Sequence, residues 1–255
     1  MKIERIVGLL AGVCALHVGA GLAVADEGAW RYSAPGVTAL DVSIDSGEVA
    51  LVAARAAEAS IESVEGYDSE KCEVLAVVKN GTLTFSAKAK GAGVHRWFGN
   101  MNRCKARFKI TALPTTKLHV EAGAGRIRVE GFSAGAALRS GAGSMELKDL
   151  SGPLNIETGT GRVTGEIYSE DLEARTGVGG MDISWSKSPE RGQAKVKTGV
   201  GSISLAFPEG TKVNTSYSGG LGRFSSELDD ARTSGFRISA ETGVGSLRIL
   251  KKKGA

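Results

Sequence analysis

The densest group of side chains able to do chemistry is His95-Arg96-Trp97-Phe98-Gly99-Asn100-Met101-Asn102-Arg103, which ends at Cys104. Trp97 and Phe98 offer flat apolar faces. Arg96, Asn100, Asn102 and Arg103 offer directed hydrogen bonds, and the combination suits the tip of a sugar- or peptide-binding loop. A second reading stands beside it. Large aromatics are usually buried, which favours Trp97 and Phe98 as a plug for an open end of the core. The preceding Lys90-Gly91-Ala92-Gly93 reads as loop. Trp185 carries the same ambiguity in what reads as an elongated edge loop.

Catalytic chemistry finds less to work with. Ser-His-Asp arrangements have only His95 and His119 to draw on beyond residue 25, and His119 points outward by strand parity. Glycoside cleavage takes two carboxylates about 5–10 Å apart. Asp149, Asp171 and Asp182 lie in or near successive repeats, but Asp149 and Asp171 fall in return segments, where Asp commonly serves a turn. The chain has many G-x-G triplets, yet a dinucleotide site needs one such turn between a strand and a helix, and here each is followed by a strand pattern. Calcium-binding β-rolls need an Asp after their glycines; Gly179-Gly180-Met181-Asp182 is an isolated approach to that pattern. The reading is of no catalytic residues, no metal site and no cofactor.

The start of the chain reads as an export signal. Lys2 and Arg5 precede an almost wholly apolar or small run, Ile6 to Ala25, and Ala23-Val24-Ala25 is a cleavage site before Asp26. Val13 before Cys14 is a poor lipoprotein box. No second apolar run of membrane length follows. Removing Lys2, Glu4 and Arg5 leaves 30 basic and 27 acidic residues, a net +3. That mild excess argues for no nucleic-acid partner and is compatible with a weak attraction to anionic envelope polymers. Cys72 and Cys104 remain after cleavage; in an exported chain the pair suggests one disulfide, with two buried thiols as the alternative.

The elements that must position these residues announce themselves by repetition. Seven triplets, beginning at Gly123, Gly141, Gly159, Gly177, Gly199, Gly220 and Gly243, follow one another at steps of 18, 18, 18, 22, 21 and 23 residues. A fixed period of this size marks a solenoid of stacked coils. Three residues before each first glycine stand Val120, Leu138, Ile156, Ala174, Val196, Tyr217 and Ala240. Four after it stand Ile127, Met145, Val163, Met181, Ile203, Phe224 and Leu247. Apolar parity is odd before the triplet and even after it, so the triplet switches the face of the strand, as a bend or bulge does. Ser140, Thr158, Thr176, Thr198 and Thr242 form a column just before the corner, with hydroxyls placed to bond the neighbouring coil. Glu121, Arg139, Glu157 and Arg175 alternate in sign down an outward column, which favours register between coils.

The N-terminal third follows the same grammar less regularly. Leu40, Val42, Ile44, Ser46-Gly47, Val49 and Leu51 read as one irregular coil, and Asn80-Gly81 as a hairpin turn. Residues 53–66 suit a short helix or a strand. Lys251-Lys252-Lys253 follows the last strand and reads as a charged, blunted end of the stack. Ile110-Thr111-Ala112-Leu113-Pro114, then Leu118-His119-Val120, then the recurring triplets resemble a bacterial family of unknown function labelled adhesin-like, from about Val37 to Leu250. The resemblance implies a β-solenoid with no known catalytic residues.

The sequence therefore predicts an all-β, parallel β-helix or β-solenoid with coils of 18–23 residues. Residues 1–25 are the signal, 26–114 an irregular N-terminal β section and cap, 115–250 the regular repeats and 251–255 a basic tail. Function is expected to be non-enzymatic: an adhesin-like binding module of the bacterial envelope, in the periplasm or at the cell surface, with an envelope glycan or a protein as partner. A structural or sensory envelope protein and a carbohydrate-active enzyme are the alternatives. Self-association would run through the coil ends.

Overall fold

The computed structural model of the chain describes residues 22–26, 29–90 and 104–252. Among them the chain is all-β, with no helix. The first seven strands are β1 (Leu22–Asp26), β2 (Ala29–Pro35), β3 (Ala39–Ala53), β4 (Glu58–Glu65), β5 (Cys72–Lys79), β6 (Thr82–Ala89) and β7 (Arg107–Ala112). Next come β8 (Lys117–Glu130), β9 (Ala136–Ala142), β10 (Met145–Ser151), β11 (Leu154–Thr160), β12 (Val163–Tyr168), β13 (Asp171–Val178) and β14 (Met181–Trp185). The last are β15 (Arg191–Val200), β16 (Ile203–Phe207), β17 (Asn214–Leu221), β18 (Phe224–Ser226), β19 (Gly235–Val244) and β20 (Leu247–Lys251). All twenty join one sheet, dominated by parallel pairs.

The repeats lie over one another in two rows. In the row before the corner, the first half of β8 pairs with β9, then β11, β13, β15, β19 and β17. In the row after it, the second half of β8 pairs with β10, then β12, β14, β16, β20 and β18. Each apolar position meets its equivalent: Leu154 lies opposite both Ala136 and Leu172, and Val163 opposite both Met145 and Met181. Val120, Leu138, Ile156 and Ala174 are buried before the corner, and Ile127, Met145, Val163 and Met181 after it, in one core.

Glycine is required at the corner for two reasons. Gly179 has φ +141°, a left-handed value that penalises any Cβ. A Cβ there would also overlap the carbonyl oxygen of Gly161 in the repeat below. The first glycine of the triplet is crowded too: a Cβ on Gly141 would stand 2.6 Å from the carbonyl oxygen of Gly123. Backbone rests on backbone at every level.

The order of the levels departs from the order of the chain at both ends. After β16 the chain builds β17 and β18 at the far end, then returns to insert β19 and β20 between them and β15–β16. Lys197 therefore meets Glu241, at 2.8 Å, and the Ser218 level lies outside both. At the other end, β3 aligns with β8 through the corner from Ala39↔Lys117 to Val52↔Glu130. Its other side takes β6 and β7 in parallel. The parallel stack thus takes in β3, β6 and β7 as well as the seven triplets. Antiparallel strands then close this end: β5 on β6, β4 on β7, β2 on β4 and β1 on β2. β1 takes in Leu22 to Ala25 of the expected signal.

Four expectations are corrected or resolved. Residues 58–65 are strand, their Ala59 and Ile61 buried against the core. Trp185 is not on a loop: it ends β14, is fully buried, stacks on Phe207 at 4.4 Å and donates its indole N–H to the Ser169 carbonyl at 2.9 Å. Lys251 and Lys252 do not blunt the end, because β18 covers β20, and Lys253 lies outside the described residues. Lys252 instead donates its backbone N–H to the Phe207 carbonyl and its ammonium to Glu166. Of the hydroxyl column, Thr198 bonds the Gly179 carbonyl of the next level at 3.1 Å and Thr242 bonds Gly245 of its own repeat. Ser140, Thr158 and Thr176 find no partner among the described residues, so their side chains contribute packing rather than hydrogen bonds.

Gly179→Ala is expected to cost about 2–4 kcal/mol in denaturant unfolding, since strain and steric overlap add. Val178→Ala, at the exposed middle of the same triplet, is expected to stay within about 0.5 kcal/mol of the parent.

Candidate functional site

A groove of about 510 Å³ runs along the corner of the first levels. Gly47, Gly125 and Gly143 come from three successive corners and, with Gly66, leave its floor as bare backbone. Glu48, Glu65, Lys105, Arg107, Arg126 and Ser144 form its polar walls. The stack dictates this arrangement: β7, β3 and β8 run side by side, so Arg107, Glu48 and Arg126 stand opposite one another across three strands.

Glu48 is the hub. Its carboxylate lies 3.4 Å from the Arg107 Nε, 3.7 Å from the Arg126 Nη1 and 3.3 Å from the Arg128 Nη1. Its side chain is 12% exposed, whereas the three arginines are nearly half exposed. Arg107 also meets Glu65 at 3.0 Å, and Arg126 and Arg128 reach Glu146 at 3.5 and 2.7 Å. Each guanidinium is held by carboxylates on one side and faces solvent on the other. Fixed forks of donors over a polar backbone floor suit hydroxyls, carboxylates or other oxygen-rich groups of a ligand.

The disulfide anchors this region. Cys72 and Cys104 are bonded, with Cα atoms 4.8 Å apart, and the Cys104 carbonyl accepts a hydrogen bond from Ser46 Oγ at 2.7 Å. Lys105, the next residue, is already on the groove wall. The sequence candidates Arg96, Trp97, Phe98, Asn100, Asn102 and Arg103 lie outside the described residues. The chain that carries them leaves at Lys90 and returns at Cys104. Sequence reasoning reached this anchor but missed Glu48, Arg107 and Arg126. Their only signal was the Ser46-Gly47 corner, whose alignment with Ala124-Gly125 places Glu48 beside Arg126.

Burial raises the Tyr67 hydroxyl beside the groove, and the negative charge of Asp68 raises it further. Asp68 itself is held low by Lys71, whose ammonium it raises in turn. Further along, Lys148 is raised by its bond to Glu130. A second concavity, of about 440 Å³, lies over Ala134, Gly135, Ala137 and Pro153, between Lys117 and the pair Asp171 and Glu173.

The carboxylates weighed for glycoside cleavage all have structural engagements. Asp149 sits at a bulge in β10 with φ +51°. Asp171 accepts from Gln193 at 3.2 Å, and Asp182 from Arg162 at 2.8 Å. His119 is half exposed, 3.4 Å from Glu121. No group of three or more potential metal ligands occurs among the described residues.

No protein-family model matches the chain, and no curated protein matches it. Solved structures do. A "putative cell adhesion protein" of Clostridium sporogenes is 12% identical, with 87% of this chain and 99% of that one covered, at a TM-score of 0.39. A "putative adhesin" of Bacteroides fragilis is 14% identical, with 88% and 98% covered and a TM-score of 0.38. A "putative lipid binding protein" of Parabacteroides distasonis is 11% identical, with 89% and 97% covered and a TM-score of 0.41. Likeness at this level carries no argument about what this chain binds.

Reducing the disulfide, which closes a span of 32 residues, is expected to lower stability by about 3–4 kcal/mol in the loop-entropy model, read as a shift of the urea midpoint. Glu48→Gln is expected to cost about 1–2 kcal/mol, because three guanidinium groups lose their shared anion. A melting temperature equal to the parent's would show that the arginines repartner without Glu48.

Proposed function

We propose that the chain is a β-solenoid acting as an exported, non-enzymatic, adhesin-like binding module of the bacterial cell envelope. The observation that supports it most is the corner groove: a backbone floor from successive glycine corners, walled by fixed guanidinium groups, beside a disulfide anchor. A stack whose levels rest backbone on backbone holds such a surface without rearrangement, so recognition comes from many shallow contacts rather than an enclosed pocket. The exposed faces of Arg107 and Arg126 suit an oxygen-rich, weakly anionic polymer, in keeping with the net charge of the processed chain. In this reading Arg96, Trp97, Phe98, Asn100, Asn102 and Arg103 also contribute to binding.

The test is a binding screen of the purified protein against envelope glycans, peptidoglycan fragments and matrix proteins, with Arg126→Ala and Trp97→Ala beside the parent. Selective binding without turnover of the polymer, weakened roughly tenfold or more by Arg126→Ala in a folded protein, is the expected result. Retained binding in both variants would remove the groove and its neighbouring segment from the site. Shortening of a polysaccharide would replace the reading with an enzyme.

A further inference from the structure

We infer that β5 is a self-pairing edge through which two copies of the chain join as a closed, two-fold dimer. Among the described residues β5 pairs on one side only, with β6. Lys79 pairs with Thr82 across the two-residue Asn80-Gly81 turn, and at the other end Lys90 donates its N–H to the Lys71 carbonyl at 2.9 Å. Both contacts turn the odd-numbered backbone groups of β5 toward β6. By strand alternation the N–H and C=O groups of Val74, Ala76 and Val78 face away from it.

Edges of this length are commonly guarded by a central charge, a proline or a bulge. β5 has none of them. Val74, Ala76 and Val78 pack against the core on one face, while Leu75 and Val77 are 56% and 45% exposed on the other. Charges stand only near the two ends of the strand, at Glu73 and Lys79.

That pattern is complementary to itself. Laid antiparallel to a second copy about Ala76, β5 sets Glu73 opposite Lys79, Val74 opposite Val78 and Leu75 opposite Val77. The two-fold axis then passes between the two copies of Ala76, whose backbone groups point outward; centring on Leu75 or Val77 would keep the bonding parity but lose the Glu73–Lys79 pairing. The bonded pairs are then Ala76 with Ala76 and Val74 with Val78 on either side, about six hydrogen bonds in all. Leu75 and Val77 fall in the non-bonded pairs, where side chains approach most closely. A one-residue slip would break the charge pairing and the bonding parity together.

Among the described residues the opposite end of the stack is partly closed at the start of its outermost strand. There Ala231 donates to the Val213 carbonyl at 2.8 Å and Asp230 accepts from the Thr215 N–H at 3.1 Å, so the start of β17 is already occupied. Pairing of like with like at β5 closes after two copies instead of growing into a filament. The dimer would present two corner grooves on one particle, which raises apparent affinity for a repetitive polymer.

Sedimentation equilibrium of the purified full chain tests this across the micromolar range, where an interface of this modest size is expected to dissociate. The mass is expected to rise to twice that of the chain. Ala76→Pro removes the central outward donor without touching the bonds to β6, and is expected to yield a monomer with an unchanged melting temperature. Glu73→Lys or Lys79→Glu sets like charges opposite each other and should raise the dissociation constant roughly tenfold. The double exchange, Glu73→Lys with Lys79→Glu, should restore it. A chain that stays at single mass throughout overturns the proposal. So does a dimer that Ala76→Pro and both single reversals leave unmoved, or one that the double exchange fails to restore.

Discussion

The close approach of backbone to backbone at the corners is the constraint on which the rest of the structure depends. Gly125, Gly143, Gly161 and Gly179 succeed one another so tightly that no Cβ fits between any two of them. This contact sets the spacing of the levels and the turn of the chain, and through both it sets which residues meet. Leu154 finds Leu172, and Val163 finds Met181, because the corners above and below leave no other register. The apolar rows then supply the stabilisation, about 25 cal/mol for each Å² of apolar surface removed from water. Outward ladders such as Glu121–Arg139–Glu157 add little energy individually, but they oppose slippage.

The ends of such a stack are its weak points, and the chain treats them in different ways. At one end antiparallel strands change the sense of pairing, and the disulfide ties β5 to the segment that leads into β7. At the other, the chain overshoots, lays down β17 and β18, and comes back to build β19 and β20 beneath them. The outermost level is consequently less buried: Tyr217 and Phe224 stand at positions where every inner repeat is sealed, and Phe224 is 45% exposed. Their rings stack at 5.6 Å, with the Tyr217 hydroxyl 2.8 Å from Thr242.

The candidate groove is a by-product of the same geometry. Three corners in succession expose backbone where side chains would otherwise stand. The strands leaving those corners carry Arg107, Glu48 and Arg126 into one line. Glu48 neutralises the inner faces of the guanidinium groups and fixes their orientation, leaving their outer faces to solvent. Positioning by a stack rather than by loops suits recognition of an extended polymer, whose repeating groups demand repeated contacts.

The sequence by itself determined the strands of the repeats, the positions of their corners and the inward parity of the inner repeats, while it left residues 53–66 between helix and strand. Those features depend on local spacing: glycine where a Cβ is excluded, apolar residues two apart, and a parity switch across the triplet. It also singled out Cys72 and Cys104 as a pair and Asn80-Gly81 as a hairpin. Only the tertiary structure decided which levels are neighbours. A period says that repeats stack; it does not say that the seventh slips between the fifth and the sixth, or that β3 lies between β8 and the pair β6 and β7. Trp185 was misread for a related reason. It occupies an ordinary inward strand position, but the longer step to the next triplet made its surroundings look like loop. The groove was invisible for the same cause: Arg107, Glu48 and Arg126 are far apart in the chain, and only the stacking of β7, β3 and β8 brings their charges within reach of one another.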